Sequence, residues 1–301
     1  MQIPTCPSTG LTFSIATTAG YYSALAGVLA GFAFAAIILV VPGGLRRSTP
    51  RESQPDGHVL ASLLIAMLGL IICAIQYAEL AGESSCSEIL GRAESEELLG
   101  GVVFAFAVLA LLYAMVLLLE RAEVGPVTKV FRFIVAVMAP TLALFLVGLA
   151  ARDASYAPWK RPGLPGELYM PHGGVMMHWI EAFCVWLPLV LCMACFVMFM
   201  LSRGRVVRST KDPDKVTGGL FLYPYLSLGL MIIAVAESAN LSDVYPGSTL
   251  TAGEVLACFL VCGAVLALQS GVLLFSSRPA SPALPTEHSA SGQAYGAECP
   301  I

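Results

Sequence analysis

Long apolar runs alternate with short polar connections along the chain. A hydrocarbon core of about 30 Å needs about 20 apolar residues in one helix. Seven runs reach that length, at about residues 20–42, 58–81, 98–120, 130–151, 174–201, 218–240 and 253–276. The pattern predicts an all-α fold, a seven-transmembrane-helix bundle over residues 20–276. An outer tail over residues 1–19 and a disordered cytoplasmic tail over residues 277–301 flank it.

The composition supports a membrane location. The 301 residues are 57% hydrophobic and 12% charged, whereas soluble domains average about 45–50% apolar and about 25% charged residues. We therefore expect a multi-pass protein of the cell membrane, in contact with the lipid bilayer. The net charge of −4 does not suggest a nucleic-acid partner.

The basic residues predict the orientation. Cytoplasmic connections carry an excess of Lys and Arg. Twelve of the 16 basic residues follow the first, third, fifth and seventh runs, and the other four are Arg92, Arg152, Lys160 and Arg161. This distribution places the N-terminus outside and the C-terminus in the cytoplasm.

The acidic residues show the opposite bias. Twelve of the 20 lie on or near the predicted outer side, most densely in ESSCSEILGRAESEE after the second run. One interpretation is a solvated loop. The other is a negative vestibule that concentrates cations or cationic ligands.

Two of the nine cysteines, Cys6 and Cys86, fall in predicted outer segments. The outer side of a cell membrane is the oxidising side. We predict a disulfide between Cys6 and Cys86, which would tie the N-terminal tail to the second connection.

The stretch PHGGVMMHWIEAF puts polar groups at the start of the fifth run. With a helix beginning near Gly174, Glu181 lies about 10 Å along it at 1.5 Å per residue. His178 is three residues before Glu181, so both side chains share a helix face. An ionisable residue at that depth costs about 2.5–3.5 kcal/mol on insertion scales, which favours a functional role over a helix mouth.

Further polar residues end the second and sixth runs, where AIQYAELAGE holds Glu79 and AVAESANLSD holds Glu237 and Asn240. Carboxylates that face a common cavity would share a proton. Such a cluster suits proton transfer, cation binding or general acid catalysis. We predict a ligand- or proton-binding site made of Glu79, His178, Glu181, Glu237 and Asn240. Neither HExxH nor paired Glu-x-x-His occurs, so we predict no metal site and no cofactor.

Family-specific motifs are sparse. The Tyr223-Pro224 pair resembles the sixth helix of microbial rhodopsins, but the last run contains no lysine for a retinal Schiff base. Glu120-Arg121 resembles the inner end of the third helix of G-protein-coupled receptors, but the last run lacks NPxxY. Neither family is assigned.

Three functions remain open at this point. The first is binding or transport of a cation, proton or protonatable small ligand through an outer-facing acidic cavity. The second is a membrane-embedded enzyme with a lipid-like or terpenoid-like substrate, using Glu181 as general acid and Glu79 or Glu237 as base or carbocation stabiliser. The third is an accessory subunit that docks a membrane protein partner.

Two packing features are also expected. Ser23, Gly27, Gly31 and Ala35 recur every four residues in the first run, and small residues at that spacing predict an internal helix–helix seam. Pro140 and Pro188 fall within the fourth and fifth runs, where each is expected to kink its helix.

Overall fold

A computed structural model of the chain describes residues 15–45, 54–82, 90–122, 125–156, 159–160, 168–169, 182–183, 186–197, 213–244 and 250–275. These residues are helical except for Ala122, Leu250, Thr251 and a two-residue antiparallel pair, β1 (Trp159–Lys160) with β2 (Leu168–Tyr169). The first helices are α1 (Ile15–Leu45), α2 (Gln54–Gly82), α3 (Leu90–Arg121) and α4 (Gly125–Phe133). A π-helix (Ile134–Met138) joins α4 to α5 (Ala139–Tyr156), and α6 (Trp186–Val197), α7 (Pro213–Val244) and α8 (Ala252–Phe275) follow.

Five helical segments are long and apolar enough to cross a membrane: Ala16–Val41, Gly57–Gly82, Ala93–Glu120, Val127–Arg152 and Gly253–Leu273. Two shorter apolar helical segments, Trp186–Val197 and Pro224–Ala239, lie in the fifth and sixth predicted runs. For the described residues, the prediction of a helical fold with several helices long and apolar enough to cross a membrane is therefore confirmed. The count of seven crossings and the orientation stay predictions.

Helix α3 lies at the centre of the described bundle. It packs against α2, α5 and α7, while α1 packs mainly against α2. The large α3 side chains Phe106, Leu109 and Tyr113 are buried. A helix that is apolar on all sides suits this position because neighbouring helices, not lipid, cover it.

At two glycines, neighbouring helices approach each other closely. A Cβ atom on Gly69 of α2 would lie 2.9 Å from the Cβ of Ala107 on α3 and 2.5 Å from the Sδ of Met231 on α7. At Gly263 of α8, a Cβ would lie 3.1 Å from Leu187 of α6. Residues without a Cβ at these points let α2 meet α3 and α7, and let α8 meet α6.

The expected seam on α1 is wrong. Gly27, Gly31 and Ala35 face outwards, and no atom of the described packing lies within 4 Å of a Cβ built on either glycine. The buried side chains of α1 are instead those of four alanines, Ala19, Ala26, Ala30 and Ala33. Ser23 of the expected seam is partly buried, and its hydroxyl donates to the Ala74 carbonyl at 2.8 Å. Alanine is small enough for close helix packing, so the four-residue glycine spacing did not identify the packed face.

The helix distortion expected at Pro140 takes the form of the π-helix that precedes it. Pro140 lacks the N–H that would bond to the carbonyl four residues earlier, and its ring crowds that turn. The Thr141 hydroxyl also bonds to the Val137 carbonyl at 2.7 Å. Pro188 lies within the described segment Trp186–Val197 of α6, and the kink expected there stays a prediction.

Candidate functional site

The ends of four helices meet at one end of the bundle. The Tyr77 ring near the end of α2 lies against Gly100, close to the beginning of α3. The backbone N–H of Leu250, just before α8, donates to the Ser95 hydroxyl on α3 at 3.2 Å. Because only a short connection separates Val244 from Ala252, the end of α7 lies at this same level. We call this level the acidic end.

Of the five predicted site residues, two have described side chains. Glu79 on α2 and Glu237 on α7 both belong to the acidic end, and both side chains are exposed. For Asn240, the α7 backbone alone is described, and His178 and Glu181 lie outside the described residues. The structure therefore places Glu79 and Glu237 on one end of the bundle without joining them in a described contact.

Three further carboxylates lie in the second turn of α3. Glu94, Glu96 and Glu97 are partly buried, and each takes part in a polar or electrostatic interaction. The acidic stretch after the second run is therefore not entirely a loop, since α3 already begins at Leu90.

An aromatic cluster lies beside these carboxylates. The Tyr22 and Tyr77 rings stack with centroids 5.2 Å apart, and Phe104 meets the Tyr22 ring edge-on at 6.0 Å. Tyr77 is only 4% exposed, and the Glu97 carboxylate lies within electrostatic range of its hydroxyl. Sequence reasoning missed this cluster, although the Gly100-Gly101 pair marks the space that the Tyr77 ring occupies.

Glu254 has a structural role at the beginning of α8. Its carboxylate accepts from the Thr251 backbone N–H at 2.7 Å and from the Thr251 hydroxyl at 2.9 Å. The Thr251 hydroxyl in turn accepts from the Glu254 N–H at 3.3 Å. This reciprocal arrangement is a capping box, which satisfies N–H groups at the helix start.

A second polar cluster is buried at the opposite level, between α6, α7 and α8. The Gln269 side-chain amide donates to the Ser227 hydroxyl at 2.7 Å, and neither residue is exposed. The next residue, Ser270, is also fully buried and lies beside the Cys195 thiol of α6. A single glutamine in the apolar last run was visible in the sequence, but its partner was not.

Metal-ligating groups do not converge in the part of the chain that the structure describes. There, no three His, Cys, Asp or Glu side chains come close enough together to hold a metal ion. The five described cysteines, Cys73, Cys192, Cys195, Cys258 and Cys262, are free thiols. Both members of the predicted disulfide, Cys6 and Cys86, lie outside the described residues.

Comparison of the chain with profiles of protein families, with curated proteins and with solved structures finds no match.

Proposed function

We propose that the chain crosses the cell membrane seven times, with the N-terminus outside and the C-terminus in the cytoplasm. The five long apolar segments, together with the shorter segments Trp186–Val197 and Pro224–Ala239, supply a helix for each crossing. The excess of Lys and Arg on one side supports the orientation. The acidic end then faces outwards. The Cys6–Cys86 disulfide belongs to the same proposal, because both residues would lie on the oxidising side.

We further propose that the acidic end binds or transports a cation, a proton or a protonatable small ligand. The observation that carries this proposal is the common level of the carboxylates on α2, α3 and α7, at Glu79, Glu94, Glu96, Glu97 and Glu237. Grouped carboxylates beside low-dielectric helices concentrate cations, because the surrounding protein focuses the field.

Individual residues have distinct roles in this proposal. Glu181 and Glu237 accept the proton or cation, and Glu79 is the third acidic member. Asn240 supplies a neutral oxygen ligand, and His178 sets the response to pH because histidine changes charge between about pH 5 and 8.

The experiment measures the thermal stability of the purified protein in lipid nanodiscs at increasing concentrations of Na⁺ or methylammonium, and compares the wild type with charge-removing variants. Binding to the folded state raises its stability as the free cation concentration rises. We expect at least one probe to stabilise the wild type. The substitutions Glu181→Gln and Glu237→Gln, which keep the side-chain shape and remove the charge, should each weaken apparent affinity about tenfold or more.

Glu123→Gln is the matched control, because Glu123 falls in the sequence between the end of α3 at Arg121 and the beginning of α4 at Gly125, on the side that we propose to be cytoplasmic. This variant should respond to the probes as the wild type does. The proposal is wrong if Glu181→Gln and Glu237→Gln also respond as the wild type does. Flux of the stabilising probe in proteoliposomes then separates transport from binding alone.

A further inference from the structure

The π-helix separates two helical segments that differ in their surroundings. On its C-terminal side, α5 packs against α3 and α8, whereas α4 on its N-terminal side packs mainly against α3. Val135, Ala136 and Val137 within the π-helix are buried. On α4, Val127 and Val130 are 52% and 61% exposed. The α4 segment therefore has one principal neighbour and a free apolar side, which faces lipid in a membrane.

Polar contacts hold α4 against the end of α3. The Arg132 guanidinium pairs with the Glu120 carboxylate, and both side chains are partly buried. The Thr128 hydroxyl, one turn earlier on α4, donates to the Leu119 carbonyl at 3.3 Å. The hydroxyl of Tyr113, a fully buried residue two turns before Glu120, lies within electrostatic range of both charges.

The π-helix and the Arg132–Glu120 pair are geometrically coupled. A π-helical turn holds about one residue more than an α-helical turn. Conversion of Ile134–Met138 to α-helix would rotate the preceding residues by about 100° and shift them by about 1.5 Å relative to α5. Arg132 lies two residues before Ile134, so the same conversion would turn its guanidinium away from Glu120.

We propose that the π-helix is a hinge between α4 and α5, and that the Arg132–Glu120 pair is the latch that holds α4 in the π-helical state. In the latched state, Arg132 contacts Glu120 and the α3 end is covered by α4. In the released state, the hinge is α-helical, the pair is broken and α4 turns its faces relative to lipid. Helix α3 reaches from Glu97 at the acidic end to Glu120 at the latch. Release therefore exposes the Glu120 end of α3, which α4 covers in the latched state.

The test is hydrogen–deuterium exchange of the full-length protein in lipid nanodiscs, read by mass spectrometry over residues 125–133 and 134–138. Arg132→Gln should raise the exchange rate of residues 125–133 about two- to fivefold, the change expected for a partly exposed ion pair. Pro140→Ala restores an N–H and permits a continuous α-helix. This substitution should slow exchange of residues 134–138, and in its presence Arg132→Gln should have no further effect.

Two matched variants separate the latch from general loosening of α4. Lys129→Gln removes an exposed positive charge from the same helix and should leave exchange unchanged. The exchanged pair Glu120→Arg with Arg132→Glu should restore wild-type exchange. The latch is overturned if Arg132→Gln leaves exchange unchanged or if the exchanged pair fails to restore it. The coupling to the hinge is overturned if Arg132→Gln has the same effect with and without Pro140→Ala.

Discussion

At the scale of single residues, the Gln269–Ser227 hydrogen bond joins α8 to α7 where both side chains are excluded from solvent. Lipid offers no alternative hydrogen-bond partner at that depth, so a polar side chain there needs a partner within the protein. Hydrogen bonds between membrane helices contribute about 0.6 kcal/mol on average and at most about 1.7 kcal/mol in measured cases. The pair should therefore stabilise the packing of α7 on α8 by a modest amount.

We expect Gln269→Leu and Ser227→Ala each to lower the free energy of unfolding, with the double variant less destabilised than the sum of the two. The coupling energy should be about 0.6–1.7 kcal/mol. Reversible unfolding in mixed micelles measures all four states of this cycle.

Gln76 provides the control for this cycle, because its side-chain oxygen is buried without a hydrogen-bond partner among the described residues. Gln76→Leu should cost little or should stabilise the protein, since it removes an unsatisfied polar atom. Additive effects of Gln269→Leu and Ser227→Ala would show that the bond contributes no coupling.

Residue-level partners were the hardest feature to predict from the sequence. Gln269 stands out in an apolar run, but its bond to Ser227 depends on how far α7 and α8 are rotated about their axes, and no local pattern specifies that rotation. The same applies to Tyr77, whose ring position depends on Gly100 of another helix. The function of Glu254 was easier to find in principle, because Thr251 and Glu254 form a local capping-box sequence.

At the scale of elements, α1 is attached to the bundle by an alanine face. Ala26 and Ala33 are fully buried, whereas Gly27 and Gly31 are open. The long apolar runs predicted the helices themselves, because length and hydropathy decide whether a segment can cross a bilayer. They did not predict which face of α1 packs, since an apolar membrane helix is as compatible with lipid as with protein.

Neighbouring substitutions on α1 test this assignment. Ala26→Leu should destabilise the protein by about 1–3 kcal/mol, because extra atoms enter the packed interface with α2. Gly27→Leu, one residue later, should be tolerated because its side chain points into open space. Thermal unfolding in nanodiscs measures both effects. Greater destabilisation by Gly27→Leu than by Ala26→Leu would show that the four-residue glycine spacing, and not the alanine face, is the packed surface.

At the scale of the whole molecule, acidic and basic residues are separated along the sequence. Acidic residues gather where α2 and α7 end and where α3 begins, and basic residues follow the first, third, fifth and seventh apolar runs. This polarity could be predicted from the sequence because a count of charges between apolar runs requires no tertiary information. The sequence could not predict whether His178 and Glu181 contact Glu79 and Glu237, because that contact depends on the fold of the long fourth connection. The proposed ligand site therefore depends first on which side of the membrane the acidic end faces.

The most direct measurement of that orientation is the accessibility of epitope tags in intact and permeabilised cells. Tags would be placed at the N-terminus, after Ser85, after Arg208 and at the C-terminus, one tag in each variant. We expect antibodies to label the first two in intact cells and the last two only after permeabilisation. Labelling of the tags after Ser85 and Arg208 from the same side would contradict the account, because the acidic and basic ends would then not lie on opposite sides of the membrane.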